Sequence, residues 1–279
     1  MPLGMDVVAN TQGRRPSFLV LGTAVIVTAL ALFAVGSARA IVGGSPDSGH
    51  PNVAAIVYEG GFVGCTGFLV APRIVVTAAH CIGVYEFLGF HPSGVSFAQT
   101  VDVSSTIGIA EVVVDPEWPG IKQFHALAGL GLVQKSDIHD IAVLRLSADA
   151  PVTAVVSLPT KGLLDQLSAK GGLNREAITA VGYGTTDPKE FPQLVSERRI
   201  AQSRFQSLSK ARMQVSILTG GACIGDSGGP AFLSVNGQEV AVALSSLVAT
   251  DPGCVSNSGY YRLDTEQARA FLAPFVDLP

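Results

Sequence analysis

Charge is scarce in this chain. Asp, Glu, Lys and Arg make up 14% of its 279 residues, against about 25% in an average soluble protein. That shortage argues against long solvated helices and for buried sheet. No cluster of Lys or Arg occurs, so nothing points to nucleic acid as a partner, because phosphate binding needs such a cluster. There are four cysteines, at 65, 81, 223 and 254, and none forms a Cys-x-x-Cys pair. That spacing speaks against a zinc site, and no metal or other cofactor is expected. Beyond residue 40 no apolar run is long enough to span a membrane.

The exception to the last point lies at the start. Arg14 and Arg15 precede an apolar stretch from Phe18 to Val35, and Ala38 and Ala40 follow in the A-x-A arrangement of a signal-peptidase site. Residues 1–40 therefore read as a signal peptide cut after Ala40. The alternative is an uncleaved signal anchor, the one route by which a membrane becomes a partner, since 18 residues is the lower limit of a span. The RRPSFLV run is similar to a twin-arginine signal, with Phe18 one position out of place. Removing residues 1–40 takes three Arg and one Asp from 18 basic and 22 acidic residues, so the net charge moves from −4 to near −6. A secreted chain with four cysteines is expected to hold two disulfides, with three pairings open.

What remains is dominated by short, β-branched apolar runs cut by Gly, Pro and Asp: VAAIVY (53–58), FLVAPRIVVTAA (68–79), GIAEVVV (108–114), IAVLRL (141–146), EAITAVGYG (176–184), PAFLSV (230–235) and EVAVALSSLV (239–248). Such runs, recurring without intervening helices, are the pattern of an all-β barrel or sandwich. Residues 160–175 read as a linker of turns between two β units, about 41–160 and 176–264. The one clear helix is TEQARAFLAPF (265–275), where Thr265 offers a cap and Pro274 a stop. Residues 196–210 fit either a short helix or a strand and loop. Residues 115–135 read as a long surface loop packed by its own apolar side chains, with contact to substrate as the second reading.

One segment stands out chemically. In GDSGGP (225–230) a serine hydroxyl sits among glycines that let the backbone turn sharply and approach a bound carbonyl. Acyl transfer to a serine needs a base for its proton, a group that orients the base, and backbone donors for the developing oxyanion. GDSGG also satisfies the G-x-S-x-G pattern of esterases, but there the histidine follows the nucleophile. The five histidines stand at 50, 80, 91, 125 and 139, all before Ser227. The base must come from upstream. His80 in TAAHC (77–81) is flanked by small residues and a cysteine. His139 adjoins Asp140 in DIHDIAVLRL, but neighbours on a strand point to opposite faces. An Asp opening such an apolar run needs a hydrogen-bonded partner, and the His80 ring supplies one.

Four separated motifs resemble the chymotrypsin family of serine peptidases: IVGG (41–44), TAAHC (77–81), DIAVLRL (140–146) and GDSGGP (225–230), joined by GYG (182–184) and the closing helix. The resemblance covers essentially all of 41–279 and implies two antiparallel six-stranded β-barrels with the site between them and a C-terminal helix. It implies a catalytic triad of His80, Asp140 and Ser227 and an oxyanion hole from the amides of Gly225 and Ser227. It implies disulfides Cys65–Cys81 and Cys223–Cys254, and an ion pair between a freed Ile41 amine and Asp226 that orders the oxyanion hole. The signal cut after Ala40 would release that amine directly. The resemblance places Gly221 at the floor of the substrate pocket, where a charge for Lys or Arg is lacking, with Gly259 on one wall and Ser245 to Leu247 on the other; Asp251 is a second source of such a charge. The expected activity is that of a secreted endopeptidase with an apolar P1 preference, acting on protein or peptide substrates and met by protein inhibitors. The alternative is a catalytically silent homologue that works as a binding protein.

Overall fold

The computed structural model describes residues 41, 43–129, 138–185, 196–218, 221–247, 254 and 258–279. Residues 1–40 and Asp251 lie outside that set, and so do the readings made on them. Among the described residues no helix is long and apolar enough to cross a membrane.

A two-residue strand β1 (Ser45–Pro46) precedes the first barrel. That barrel is built from β2 (Val53–Tyr58), β3 (Phe62–Ala71), β4 (Ile74–Thr77), β5 (Pro92–Ser96), β6 (Ile107–Val114) and β7 (Ala142–Leu146). The strands close antiparallel in the order β2-β3-β4-β7-β6-β5. The second is built from β8 (Ala177–Gly182), β9 (Arg199–Leu208), β10 (Arg212–Ile217), β11 (Pro230–Val235), β12 (Gln238–Leu247) and β13 (Ser258–Arg262). It runs β8-β9-β10-β13-β12-β11, and the β11–β8 pairing closes it. Strand β1 is appended to β9, so the start of the chain is pinned to the second barrel before it enters the first. Among the described residues, closure leaves no long sheet edge exposed.

The apolar runs become strands because both of their faces are covered. All six residues of β2 are buried: one face fills the barrel and the other lies under neighbouring structure, so the run is continuous rather than alternating. The main core joins β2, β3, β4 and β7 to Val181, Tyr183, Phe232, Leu244 and Tyr261 of the second half. A separate cluster of Leu173, Ile178, Met213, Val215, Leu233 and Val242 fills the second barrel.

Helix α1 (Ala79–Phe87) follows β4 directly and was not legible as a helix. It begins at Ala78 without a side-chain cap. Helix α2 (Ile121–Gly129) occupies part of the stretch read as a loop. Helix α3 (Leu163–Ala169) lies inside the stretch read as turns. Its start is held from outside: the Leu164 amide donates to Asp264 Oδ2 at 2.8 Å, doing the work of a cap from a distant residue. Residues 199–208 are strand, with Arg199, Ala201 and Ser203 buried in alternation. The last helix, α4 (Glu266–Leu272), starts as expected, the Thr265 hydroxyl accepting from the Ala268 amide at 3.2 Å.

Candidate active site

Three turns meet where the barrels face each other. The first is the β4–α1 junction carrying His80. The second is the approach to β7 carrying Asp140. The third is the turn before β11 carrying Ser227. Barrel one grips the third turn through Thr66 on β3. The Thr66 amide donates to Ser227 O at 2.9 Å, and its hydroxyl donates to Gly225 O at 2.8 Å while accepting from the Tyr183 amide at 3.0 Å. Thr77 in turn donates to Thr66 O at 2.8 Å. Each of these polar groups is buried, so leaving one unpaired would cost about 1–3 kcal/mol.

Asp140 is fully buried. Its Oδ1 accepts from the His80 backbone amide at 2.9 Å, and its Oδ2 lies 2.9 Å from His80 Nδ1. An ionised carboxylate only accepts, so Nδ1 carries the ring proton and Nε2 is left as the base. Burial alone would raise the Asp140 pKa, but the charge and hydrogen bond of His80, the Ser246 hydroxyl and the charge of Arg212 outweigh it and hold the group below its ordinary value. Ser246 Oγ donates to Asp140 Oδ2. Arg212 Nη1 donates to Ser246 Oγ at 2.9 Å.

His139 turns the other way. With φ at +48° it lies in a kink before β7 rather than in the strand. Its Nδ1 stands 3.3 Å from Asp115 and its Nε2 3.0 Å from Glu117. The two neighbours do diverge, but through this kink and not through strand alternation. Phe124 of α2 stacks on the His80 ring, with centroids 5.4 Å apart and planes 15° apart. Phe124, from the described part of the stretch read as a loop, thus covers the histidine.

Ser227 and His80 are both buried almost completely. Among the described contacts no hydrogen bond joins Ser227 Oγ to the His80 ring; such bonds often tighten only when substrate is bound. Gly225 adopts φ +97°, a conformation that suits glycine. The amides of Gly225 and Ser227 are engaged by no other described residue, so two donors remain at the turn. Disulfides join Cys65 to Cys81 and Cys223 to Cys254, with Cα atoms 6.1 and 5.3 Å apart. The first brackets the His80 turn and the second anchors the segment leading to Ser227.

Asp226 has the opposite surroundings to Asp140. Its Oδ1 accepts from the Gly184 amide and its Oδ2 from the Cys223 amide, both at 2.8 Å. Burial raises its pKa to about 7 despite those two bonds. A Cβ on Gly184 would lie 2.5 Å from this carboxylate, which is why the chain passes it as glycine. Ile41 is fully buried with φ +53°. In the continuous chain its nitrogen is a peptide amide, and no described contact links it to Asp226. Gly221 is buried at the start of the segment leading to Ser227. Leu247 and Gly259 face each other across the β12–β13 ladder, which is irregular between Ser245 and Leu247. Ser245 holds the Ser227 turn by backbone bonds to Gly228 and Gly229. Ser246 faces Asp140 instead of a substrate wall. Sequence reasoning set Ser246 in that wall and missed Arg212.

The family model described as Trypsin matches residues 41–263. The chain belongs to the trypsin family. Human kallikrein-2 is 29% identical over 212 residues, 68% of this chain and 74% of the kallikrein. Bovine chymotrypsin-like elastase family member 1 is 27% identical over 231 residues, 75% of this chain and 79% of the elastase. Human heparin binding protein is similar in structure, with a TM-score of 0.60 and 19% identity over 85% of this chain and 96% of that one. At that identity the likeness shows the trypsin-family fold alone.

Proposed function

We propose that the chain is a secreted serine endopeptidase that cleaves peptide bonds through an acyl-enzyme. The observation that carries this reading is the buried Asp140 carboxylate holding both the backbone and Nδ1 of His80, because that pairing leaves Nε2 unprotonated to act as a base. Ser227 Oγ attacks the scissile carbonyl as Nε2 takes its proton. The oxyanion is received by the Gly225 and Ser227 amides. His80 then protonates the leaving amine, and water repeats the sequence to release the acyl group. Asp140 keeps the tautomer and stabilises the imidazolium. Residues 1–40 act as the signal peptide and 41–279 as the peptidase domain. Release of Ile41 gives Asp226 the cation it lacks, and the pair settles the oxyanion turn. Gly221 brings no charge to the pocket floor, which supports an apolar P1 residue. Protein and peptide substrates and protein inhibitors are the partners of such a site.

One set of observations favours a second reading, a silent homologue that binds without cleaving. Ser227 is not bonded to His80, Phe124 lies on the imidazole, and a solved structure of the same fold is named for binding heparin. An active-site phosphonate separates the two. Chain beginning at Ile41 is expected to be labelled at Ser227, and Ser227→Ala is expected to remain unlabelled. Correctly processed chain that stays unlabelled would establish the silent reading. Profiling on a mixed peptide library tests the pocket, and equal cutting after Lys and Phe would overturn the apolar preference.

A further inference from the structure

Arg212 is a cation in an unusual place. It opens β10, where Met213 and Val215 point into the core of the second barrel, so by alternation Arg212 belongs to the opposite face. That face does not meet solvent: Arg212 is 0% exposed. Burying a guanidinium is costly unless it is paired and hydrogen-bonded. Nη1 donates to Ser246 Oγ at 2.9 Å, and Ser246 donates to Asp140. The cation therefore stands one hydroxyl away from the carboxylate that orients His80.

Resting on the peptidase reading, we infer that Arg212 is a positioning residue of the triad. It fixes the Ser246 hydroxyl on Asp140 and offsets the carboxylate charge that the His80 ring faces. The first part follows from donor counting. A guanidinium only donates and a hydroxyl carries one proton. Ser246 must accept from Arg212, so its proton is committed to Asp140 Oδ2. Without Arg212 the hydroxyl is free to rotate. The second part follows from charge. Asp140 favours the protonated imidazole, and a cation beside Asp140 weakens that preference. The effect is to carry the acid limb of activity to lower pH.

Among the described residues, the charged and titratable groups around this path are few. His80 faces Asp140 from α1, and Arg212 faces it from β10. Ser246 on β12 is neutral, and so is Phe124 of α2 against the ring. Tyr261 on β13 lies opposite Arg212 in the ladder. His139, Asp115 and Glu117 form their own cluster, and Asp226 accepts from Gly184 and Cys223.

The test uses chain beginning at Ile41 and two substitutions. Arg212→Met keeps length and loses the charge; Arg212→Lys keeps the charge and loses the fork. In Arg212→Met the acid limb of kcat/KM is expected to move up by about one pH unit. The plateau kcat should fall by about ten-fold with KM nearly unchanged. Arg212→Lys should return the limb to the parent position without restoring all of kcat. The imidazole resonance of His80, titrated by NMR in a Ser227→Ala background, should move in the same direction in Arg212→Met. That readout needs no turnover, so it separates this inference from the peptidase reading: loss of phosphonate labelling sinks the latter, and a stationary resonance sinks the former. If Arg212→Met does not fold, Ser246→Ala replaces it, with a smaller upward move of limb and resonance expected. An acid limb and a resonance that coincide with the parent in either neutral variant would reduce Arg212 to a packing residue.

Discussion

Two carboxylates lie fully buried within reach of one turn, and they are treated oppositely. Asp140 is faced by an imidazole, a hydroxyl and a guanidinium, and its pKa falls below the ordinary range in spite of burial. Asp226 is faced by two backbone amides, and burial carries its pKa to about 7. At Asp226 the two amide bonds do not repay the loss of water around the ion. A nearby cation does. One half of the site is thus electrostatically complete in the continuous chain. At the other half the described partners of the carboxylate are two amides and no cation.

The largest effect that would break this contrast lies on the complete half. Asp140→Asn in chain beginning at Ile41 should lower kcat by about 10⁴-fold, the size found for this substitution in the family, because the amide admits the wrong imidazole tautomer. KM should change little. Steady-state kinetics on a chromogenic peptide measures both. A loss of less than ten-fold would mean that Asp140 does not orient the base.

The next effect lies on the incomplete half and is a matter of sign. Asp226 has a folded-state pKa near 7, above its value in an unfolded chain, so ionisation opposes folding. The unprocessed chain should be most stable below about pH 4 with respect to this group. It should lose up to about 4 kcal/mol as pH rises from about 4 to about 7, with no further loss above that. Asp226→Asn should remove that slope. Chain beginning at Ile41 should not show it either, because the α-amino cation holds the carboxylate ionised. Urea unfolding from pH 4 to 8 on the three proteins compares them directly. An identical slope in the processed and unprocessed chains would show that Ile41 does not reach Asp226.

The contrast also marks what sequence could disclose. Strand β2 was visible because its residues are covered on both faces, and a continuous apolar run such as VAAIVY leaves few other uses; β11 is covered in the same way over its first four residues. The motif residues His80, Asp140 and Ser227 were visible because glycines, small residues and an isolated Asp in an apolar run have no simpler explanation. Arg212 and Ser246 were hidden by the same logic. In RMQVSI Arg212 looks like the solvent side of a strand and in SSL Ser246 looks like part of a pocket wall, and alternation alone cannot say that the two meet beside Asp140. Helix α1 was hidden because its residues are apolar around much of the circumference and no capping side chain marks its start. Helix α3 was hidden because its start is held by Asp264, a hundred residues away.

A middle-sized effect tests the joint between the two halves. Thr66→Val removes the hydroxyl that donates to Gly225 O and accepts from the Tyr183 amide. Two buried backbone groups lose a partner while the volume is kept. Stability should fall by about 1–3 kcal/mol, and labelling of Ser227 should slow because the Gly225 peptide is no longer held. If stability falls and labelling does not change, the turn is fixed from the second barrel alone.

The smallest effect serves as the control that keeps the others interpretable. Thr265 caps α4, a helix that buries Ala268 and Leu272 in the main core but contributes no group to either carboxylate. Thr265→Ala should cost about 1 kcal/mol. Because no titrating group is touched, that loss should be the same at pH 4 and pH 8, and the labelling rate of Ser227 should be that of the parent. A cost that grows with pH would mean that lowering global stability is enough to imitate the Asp226 slope. That slope is evidence for a waiting carboxylate only if an uncharged lesion of known size, placed away from it, leaves the pH dependence where it was.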